Sequence, residues 1–309
     1  MSIVARPAQA VTGPTEATSA EGVTSATPQL DSLRAVLRRM QRLVVAFSGG
    51  ADSAFLARVA TDTLGAPSVL CVTAVSPSLA PEELEDCRAL AAEWDLRWLQ
   101  VPTEEISDPA YRSNDADRCY HCKTSLLGAL TPLAEVERSV VVLGVNLDDL
   151  GDHRPGQRAA AERGALFPLV DCGYTKDDVR RESHRLGLRT WDKPAAACLA
   201  SRVPYGTPVT LGTLTTVARA ESGLRALGFR QLRVRHYGDL ARVELDADEL
   251  ARAVELREQV VSVVRGAGYT YVTLDLEGFR SGNLNAALAG DADTLPSASS
   301  EPSETKGRP

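Results

Sequence analysis

The chain carries the run Leu43-Val44-Val45-Ala46-Phe47-Ser48-Gly49-Gly50-Ala51-Asp52-Ser53. Its first five residues are apolar and predict a buried strand, its two glycines permit a tight turn, and residues 51–64 have the composition of a helix. Backbone N–H groups at such a turn point at an anion, and the partial positive charge of a helix start favours negative charge. With the hydroxyls of Ser48 and Ser53, the run predicts a site for the pyrophosphate of a nucleotide. An ordinary glycine turn is the alternative, and the absence of GxxxxGK[ST] excludes a kinase-type phosphate loop.

The pattern Ser-Gly-Gly-x-Asp-Ser after a hydrophobic strand resembles the PP-loop of the N-type ATP pyrophosphatase superfamily. This resemblance implies an enzyme that cleaves ATP between the α and β phosphates, adenylates a substrate and releases pyrophosphate. It also implies which residues bind ATP in this chain, namely Ser48, Gly49, Gly50, Asp52 and Ser53.

Length and charge limit the class of the protein. At 309 residues the chain exceeds the usual size of one domain, so we expect two. A net charge of −7 disfavours a broad nucleic-acid surface and favours a small-molecule substrate. No apolar run reaches the length of a membrane span, and the first 28 residues lack the apolar core of a signal peptide. We therefore expect a cytoplasmic protein that binds neither nucleic acid nor membrane, with its six cysteines reduced.

Strand and helix patterns alternate up to about residue 190, which predicts a parallel sheet covered on both faces. The fold class is α/β: an N-terminal PP-loop ATPase domain with a twisted parallel sheet, followed by a smaller C-terminal α+β domain. After the first strand, further strands are expected over 68–75, 96–101 and 139–145. The predicted divisions are a disordered segment 1–28, the PP-loop domain 29–207, a substrate or oligomerisation domain 208–289 and a disordered tail 290–309, with the joint at 204–208.

A second polar turn follows the strand expected near residue 140. The run Gly144-Val145-Asn146-Leu147-Asp148-Asp149 resembles a superfamily signature, commonly Gly-Thr-Asn-x-Asp-Asp, with Val145 in place of the threonine. The resemblance implies that Asn146 and Asp149 bind the nucleotide. Paired aspartates suit Mg²⁺ on the phosphates, and capping of the following turn is the alternative.

Residues 231–246 predict a hairpin that turns at Gly238-Asp239. That turn pairs Arg235 with Arg242 and Arg233 with Glu244, and it leaves the apolar residues on the opposite face. Three arginines and a carboxylate on one face predict a site for a phosphate or carboxylate substrate. A solvated sheet face is the alternative.

Cysteines form the remaining chemical pattern. Cys119 and Cys122 make a CxxC pair, which is typical of a zinc site, a redox pair or iron–sulfur ligands, and Cys198 lies beside basic residues. The nearby cations Arg118, Lys123 and Arg202 are expected to lower the pKa values of the thiols. Of the other cysteines, Cys71 and Cys87 are expected in the core, and Cys172 is a candidate fourth zinc ligand.

Four stretches together look like the LarE family, over roughly residues 30 to 287. They are Asp117-Arg118-Cys119-Tyr120-His121-Cys122-Lys123, Asp152-His153-Arg154-Pro155-Gly156, Lys193-Pro194-Ala195-Ala196-Ala197-Cys198-Leu199-Ala200-Ser201-Arg202-Val203-Pro204-Tyr205-Gly206 and Gly278-Phe279-Arg280-Ser281-Gly282-Asn283. LarE proteins are ATP-dependent sulfur transferases that help to build the nickel-pincer nucleotide cofactor of lactate racemase. The resemblance implies adenylation of a carboxylate of pyridinium-3,5-biscarboxylic acid mononucleotide, followed by sulfur insertion to give a thiocarboxylate.

The same resemblance implies the roles of individual residues. The implied catalytic residues are Cys198, Asp52, Ser201 and Arg202, and the implied substrate-binding residues are Arg154, Glu221, Arg233, Arg235 and Glu244. In some members the cysteine matching Cys198 gives up its own sulfur and becomes dehydroalanine. Other members hold a [4Fe–4S] cluster on three cysteines, here Cys119, Cys122 and Cys198. We expect the cluster type, because a sacrificial donor needs only one cysteine.

Other functions remain as alternatives. An amidase or synthetase of the NAD or GMP synthetase type shares the phosphate loop, but it has no chemical need for Cys198. A tRNA-thiolating enzyme is disfavoured by the acidic balance. A zinc-stabilised nucleotide-binding module is the non-enzymatic alternative. The expected partners of the leading function are ATP with Mg²⁺, a mononucleotide, a sulfur donor protein or free sulfide, and further copies of the chain.

Overall fold

The computed structural model describes residues 27–151, 155–194 and 196–280. Four strands form a parallel sheet in the order β3-β2-β1-β4, and three more form a second sheet in the order β5-β6-β7. The strands are β1 Leu43–Ala46, β2 Val69–Val75, β3 Trp98–Pro102, β4 Val140–Leu143, β5 Leu232–Tyr237, β6 Leu240–Leu245 and β7 Tyr271–Leu274. The helices are α1 Pro28–Met40, α2 Ala51–Leu64, α3 Pro81–Glu93, α4 Pro109–Arg112, α5 Arg118–Glu137, α6 Pro155–Glu162, α7 Pro168–Asp171, α8 Lys176–Arg185, α9 Leu211–Ala226, α10 Leu250–Glu255 and α11 Arg257–Ala267. The predicted α/β class is confirmed.

Alternation along β1 shows how the first sheet is covered. Leu43, Val45 and Phe47 belong to an apolar cluster with residues of α1, α2, α3 and α8, whereas Val44 belongs to a second cluster with residues of α5 and α6. Successive side chains of a strand point to opposite faces, so the two clusters lie on opposite sides of the sheet. The first sheet is therefore buried on both faces, as parallel sheets are.

The chain enters this domain through α1. The side chain of Thr27 accepts a hydrogen bond from Leu30 N, and Pro28 occupies the first turn, where its missing N–H costs nothing. Thr27 and Pro28 thus cap and begin a helix, although they fall within the segment 1–28 that was expected to be disordered. The rest of that segment, 1–26, and the tail 290–309 lie outside the described residues.

The second sheet confirms the predicted hairpin. Arg233 pairs with Glu244 and Arg235 with Arg242 between the antiparallel strands β5 and β6, and β7 joins β6 in parallel. The opposite face carries the apolar residues and packs on α9 and α11, in a cluster that includes Val234, Val243 and Leu224. One face of this sheet is therefore buried in the core.

A smaller apolar cluster crosses the predicted joint at 204–208. It contains Tyr111, Leu199 and Val203 from before the joint, and Leu214 and Val217 from α9 after it. The two predicted domains therefore share buried contacts, and the domain boundaries stay predictions. Within the described ranges, no helix combines the length and the apolar character that a membrane span requires.

Candidate active site

The phosphate loop lies between β1 and α2, as predicted. Gly49 has φ +69°, a left-handed conformation that favours glycine, and Gly50 precedes the first residue of α2. The Ser48 and Ser53 hydroxyls are 3.0 Å apart, and Ser48 N donates to Ser53 Oγ at 3.2 Å. Among the described residues, none accepts a hydrogen bond from the N–H groups of Gly49, Gly50 or Ala51. These donors therefore remain available for an anion at the start of the helix.

The turn after β4 meets the start of α2. Asn146 is fully buried, and its Nδ2 donates to Asp52 Oδ1 at 3.0 Å. A Cβ at Gly144 would lie 2.7 Å from Ser53 N, so only glycine allows this approach. Asn146 and Asp149 also bond one another's backbone N–H groups at 3.2 Å. The turn-capping alternative is thus realised at the same residues that face the phosphate loop.

Asp52 and Asp149 suit Mg²⁺. Burial raises the pKa of Asp52, the charge of Asp149 raises it further, and the hydrogen bond from Asn146 opposes both. A divalent cation would stabilise the ionised forms of these two neighbouring carboxylates, one of which is desolvated. No group of three or more His, Cys, Asp or Glu side chains in the described ranges is arranged to hold a metal ion. This is compatible with Mg²⁺, which typically takes one or two carboxylates and completes its shell with phosphate and water.

Lys193 also contacts the phosphate loop, although its role was not predicted. Its Nζ donates to Gly49 O at 3.1 Å, Glu83 Oε2 at 2.9 Å and Asp86 Oδ2 at 2.5 Å. Burial raises the pKa of Asp86, but the hydrogen bonds and charges of Lys193 and Arg189 outweigh burial and hold it below its usual value. Lys193 is the first residue of one of the sequence stretches quoted above. Its role could not be predicted from the sequence, because its partners lie 107 to 144 residues away and such contacts produce no periodic pattern.

The three cysteines of the predicted sulfur site lie on two neighbouring segments. Cys119 and Cys122 belong to the first turns of α5, and Cys198 precedes a short 3-10 helix, Leu199–Arg202. Cys119 and Cys198 are exposed, and Cys122 packs against the cluster that contains Leu199. Arg118 at the start of α5 also bonds Ala200 O, so the two segments are in contact.

Buried polar groups hold the Cys198 segment in place. Arg118 Nη1 donates to Ala200 O at 2.9 Å and also bonds Asn114 Oδ1. Asn114 is fully buried and donates to Pro204 O at 2.8 Å and to Thr207 O at 2.9 Å. Sequence reasoning missed Asn114, because an asparagine in a turn is common and its partners are 90 and 93 residues away.

The expected lowering of thiol pKa values is wrong for Cys122. Burial raises the pKa of this thiol to about 12, and the opposing charge of Lys123 is too weak to offset burial.

The Arg202 guanidinium bonds the carbonyl oxygens of Ala197 and Cys198, at 2.6 Å and 3.0 Å. Arg202 therefore orients the backbone of the cysteine segment.

The other cysteines lie apart from this group. Cys71 and Cys87 are buried in the core, as predicted. Cys172 Sγ lies 3.8 Å from Ser32 Oγ of α1 and packs on the cluster that includes α1 residues. This position does not support a zinc site that includes Cys172 as a fourth ligand.

The charged face of the hairpin is buried, so the solvated-face alternative is wrong. Arg235 is 3% exposed and Glu244 0%. The Arg235 guanidinium donates to both Glu244 carboxylate oxygens, at 3.0 Å and 2.9 Å, and through Nη1 to Ser201 O at 2.9 Å. The C-terminal sheet thus contacts the segment that follows Cys198. Ser201 itself donates from Oγ to Cys198 O at 2.7 Å.

Arg233 lies on this face, and Glu221 of α9 lies close to it. Glu221 is 0% exposed and accepts both branches of the Arg202 fork, at 2.8 Å and 3.0 Å. The Arg233 guanidinium lies 5.0 Å from the centre of the Phe279 ring. Burial and the charges of Arg202 and Arg235 lower the pKa of Arg233 to about 10. Of the five predicted substrate-binding residues, four meet here, and Arg154 lies outside the described residues.

Known proteins resemble this chain over most of its length. An uncharacterised protein of Synechocystis is 46% identical over 263 residues, which cover 84% of this chain and 98% of that protein. The pyridinium-3,5-bisthiocarboxylic acid mononucleotide synthase of Lactiplantibacillus plantarum is 37% identical over 258 residues, which cover 83% of this chain and 94% of that enzyme.

Similarity to NAD synthetases covers a smaller part of the chain. The family model for NAD synthase matches residues 29–121. A glutamine-dependent NAD(+) synthetase of Aquifex aeolicus is 32% identical over 90 residues, which are 28% of this chain and 16% of that enzyme. The residues that the family model matches contain the phosphate loop, and Cys198 lies beyond them. Similarity over 83% of the chain is to the mononucleotide synthase, and the chain therefore belongs to the LarE family of PP-loop proteins.

Proposed function

We propose that this protein uses ATP to adenylate a carboxylate of pyridinium-3,5-biscarboxylic acid mononucleotide and then replaces the AMP with sulfur. The proposal is carried by one segment of the chain, which contacts the phosphate loop and also contains a cysteine of the predicted sulfur site. Lys193 bonds the phosphate loop at Gly49 O, and Cys198 follows five residues later on the same segment. An activating site and a sulfur site joined by so short a segment can act on one substrate carboxylate.

The first half of the reaction forms an acyl-adenylate at the phosphate loop. A carboxylate oxygen of the substrate attacks the α phosphorus, the bond to the bridging oxygen breaks, and pyrophosphate leaves with the electron pair. The N–H groups of Gly50 and Ala51 are suited to the charge of the leaving group, and Mg²⁺ at Asp52 and Asp149 would neutralise it. The product is an acyl-adenylate, which has AMP as a good leaving group.

The sulfur half has two forms that use the same residues. In the sacrificial form the Cys198 thiolate attacks the acyl carbon, AMP leaves, and a thioester results. Loss of the Cys198 α proton with cleavage of its Cβ–S bond then releases the thiocarboxylate and leaves dehydroalanine, with no external oxidant or reductant. Arg202 and Ser201, which bond Cys198 O, would orient the residue for both steps.

We infer the second form for this chain, with a [4Fe–4S] cluster on Cys119, Cys122 and Cys198. Three thiols on adjoining segments supply the donor chemistry that the cluster requires. A cubane distributes its ligands over separate irons, so the thiols need not lie within the reach of one metal ion. When bound, the cluster would supply a transferable sulfide at its open iron. The residues around it would hold the segments together, through Arg118 on Ala200 O and Arg202 on Cys198 O.

We assign the mononucleotide phosphate to the charged face of the hairpin together with the neighbouring Arg202 side chain. Arg202, Arg233 and Arg235 lie together with Glu221 and Glu244, and the mutual repulsion of the arginines is what an anion would relieve. Arg235 and Glu221 are fully engaged within the protein, so they act on the substrate by holding this face in place. Arg233→Gln should weaken mononucleotide binding by about 1.5–3 kcal/mol and leave ATP affinity unchanged, as measured by calorimetry. Equal losses for both ligands would contradict the assignment.

An anaerobic assay tests the reaction. The protein, loaded with iron and sulfide, is incubated with Mg²⁺, ATP and the mononucleotide, and products are followed by mass spectrometry. We expect a product in which sulfur replaces one carboxylate oxygen, with AMP and pyrophosphate in equal amounts. ADP and phosphate as substrate-dependent products would contradict the proposal.

Single cysteine replacements distinguish the two sulfur sources. If the cluster operates, Cys119→Ala, Cys122→Ala and Cys198→Ala should each lose bound iron and activity, and turnover with sulfide should exceed one per protein. If Cys198 is sacrificial, the first two variants should keep their activity and the wild type should stop after one turnover with dehydroalanine at position 198.

The proposal extends to partners and location. We infer self-association through the second sheet, where Tyr237 and Tyr271 both pair with Leu240 and are 44% and 61% exposed. Light scattering tests this inference, and a monomer at micromolar concentration would contradict it. The sulfur source is inferred to be free sulfide or a donor protein. A cytoplasmic location agrees with the free state of the six cysteines.

A further inference from the structure

We propose that Lys193 is a positioning residue for ATP, which acts through the Gly49–Gly50 peptide and does not contact the phosphates. The inference rests on the proposed ATP-dependent function and adds a residue to it. It concerns the phosphate loop alone, so it is independent of how sulfur is supplied.

The hydrogen bonds of Lys193 leave it no donor for a ligand. An ammonium group has three N–H donors. The structure assigns one to Gly49 O, one to Glu83 Oε2 and one to Asp86 Oδ2, at 3.1 Å, 2.9 Å and 2.5 Å. Two carboxylates also neutralise its charge, so long-range attraction of phosphate by Lys193 is weak. Its remaining influence on ATP is through the carbonyl group of Gly49.

Fixing that carbonyl group fixes the next N–H. In a planar trans peptide the C=O of one residue and the N–H of the next point in opposite directions. With Gly49 O held towards Lys193, the N–H of Gly50 is directed to the other side of the loop. A glycine at φ +69° has a broad choice of conformations, so an external contact is needed to select this one.

Helix α3 supports the loop from the side of Lys193. It supplies Glu83 and Asp86, which hold the ammonium group, and also Cys87, whose Sγ would lie 2.9 Å from a Cβ at Gly49. Cys87 therefore limits the space beside Gly49, and the hydrogen bond from Lys193 fixes the direction of the Gly49 carbonyl group. Loss of the hydrogen bond would leave that direction unfixed.

Arg189 provides a matched control. It donates to Asp86 Oδ1 and Glu93 Oε2, both at 2.8 Å, and within the described ranges it donates no hydrogen bond to the loop. Arg189→Gln and Lys193→Gln each remove one cation from Asp86. Only the second variant also removes the hydrogen bond to Gly49 O.

The experiment measures binding of inorganic pyrophosphate with Mg²⁺ to the full chain by calorimetry, because pyrophosphate contacts the loop without the adenosine. We expect Lys193→Gln to weaken this binding about tenfold, the effect of one oriented hydrogen bond, and Arg189→Gln to bind as the wild type does. The unfolding temperature should fall in both variants, since each loses its ion pair with Asp86. A role confined to the ion pair with Asp86 would therefore weaken pyrophosphate binding in both variants.

Three results would overturn the proposal. Pyrophosphate binding by Lys193→Gln equal to that of the wild type would show that the hydrogen bond does not orient the loop, and equal weakening in both variants would show that Lys193 only stabilises α3. Absence of pyrophosphate binding by the wild type would reject the proposed function as well. If Lys193→Gln does not fold, Lys193→Arg keeps the charge but cannot place one nitrogen among three acceptors. It should bind pyrophosphate more weakly than the wild type, and equal binding would overturn the proposal.

Discussion

Asp52 shows how one buried carboxylate is kept for a cation. Its pKa is raised mainly by burial, so its ionised form at pH 7 destabilises the ligand-free fold. Asp52→Asn keeps an acceptor for Asn146 and removes the charge. We expect this variant to unfold at a higher temperature than the wild type at pH 7 without ligand, and to gain less stability from Mg²⁺ and ATP.

The pH dependence of this difference follows from the sign of the shift. A carboxyl group whose folded pKa is raised takes up its proton in the folded state first, so the wild type gains stability as pH falls through that pKa. The advantage of Asp52→Asn should therefore shrink towards acidic pH. Thermal unfolding of both proteins between pH 7 and the acidic range, with and without Mg²⁺ and ATP, measures it. Equal stabilisation of both proteins by Mg²⁺ and ATP would contradict the role of Asp52.

At the scale of single residues, the sequence predicted those site positions that a local pattern determines. Gly49, Asp52 and Ser53 follow from strand, turn and helix in one run, and the structure has them where expected. Asn114 and Lys193 were missed, because their roles depend on partners about a hundred residues away. The burial of Cys122 was misjudged for a related reason: neighbouring charges are visible in a sequence, but desolvation is a property of packing.

At the scale of elements, the contact of β4 with α2 depends on Gly144. A Cβ there would lie 2.7 Å from Ser53 N and 2.8 Å from Asp52 C, so one of the two elements must move. We expect Gly144→Ala to cost about 1–3 kcal/mol of unfolding free energy and to abolish ATP binding. Urea unfolding and calorimetry measure the two effects.

Gly128 is the control for this substitution. It lies in α5, and no heavy atom beyond the backbone of that helix and its chain neighbours is within 4 Å of the added Cβ, so Gly128→Ala should stabilise the protein by about 0.5–1 kcal/mol. ATP binding should be unchanged. A Gly144→Ala variant that binds ATP as tightly as Gly128→Ala would contradict the close contact of β4 and α2.

The hairpin shows which features of an element can be predicted from the sequence and which cannot. Its turn and register followed from alternation, since a one-residue shift would have exposed Val234 and Val243. Burial of its charged face did not follow, because alternation does not reveal that the segment Leu199–Arg202 covers that face. The ion pair of Arg235 with Glu244 on this face joins residues that sequence alone placed on a polar surface.

At the scale of the whole molecule, the pair of Arg202 with Glu221 joins the cysteine segment to α9 across the predicted joint. Both side chains are buried, at 5% and 0% exposure. Glu221→Ala leaves a buried guanidinium without its carboxylate, so we expect a loss of about 3–5 kcal/mol in unfolding free energy. Glu85, which pairs with Arg88 on the surface, is the control, and Glu85→Ala should change stability by no more than about 0.5 kcal/mol. Equal effects in urea unfolding would contradict a joint held by this pair.

The central claim is that the ATP half and the sulfur half act on the same carboxylate. The most direct measurement uses a mononucleotide whose carboxylate oxygens carry a heavy isotope, with mass spectrometry of the nucleotide product. Attack by the carboxylate on the α phosphorus transfers one labelled oxygen to AMP when sulfur replaces it. We predict one labelled oxygen in AMP for each thiocarboxylate formed. AMP without the label, formed alongside thiocarboxylate, would contradict the account.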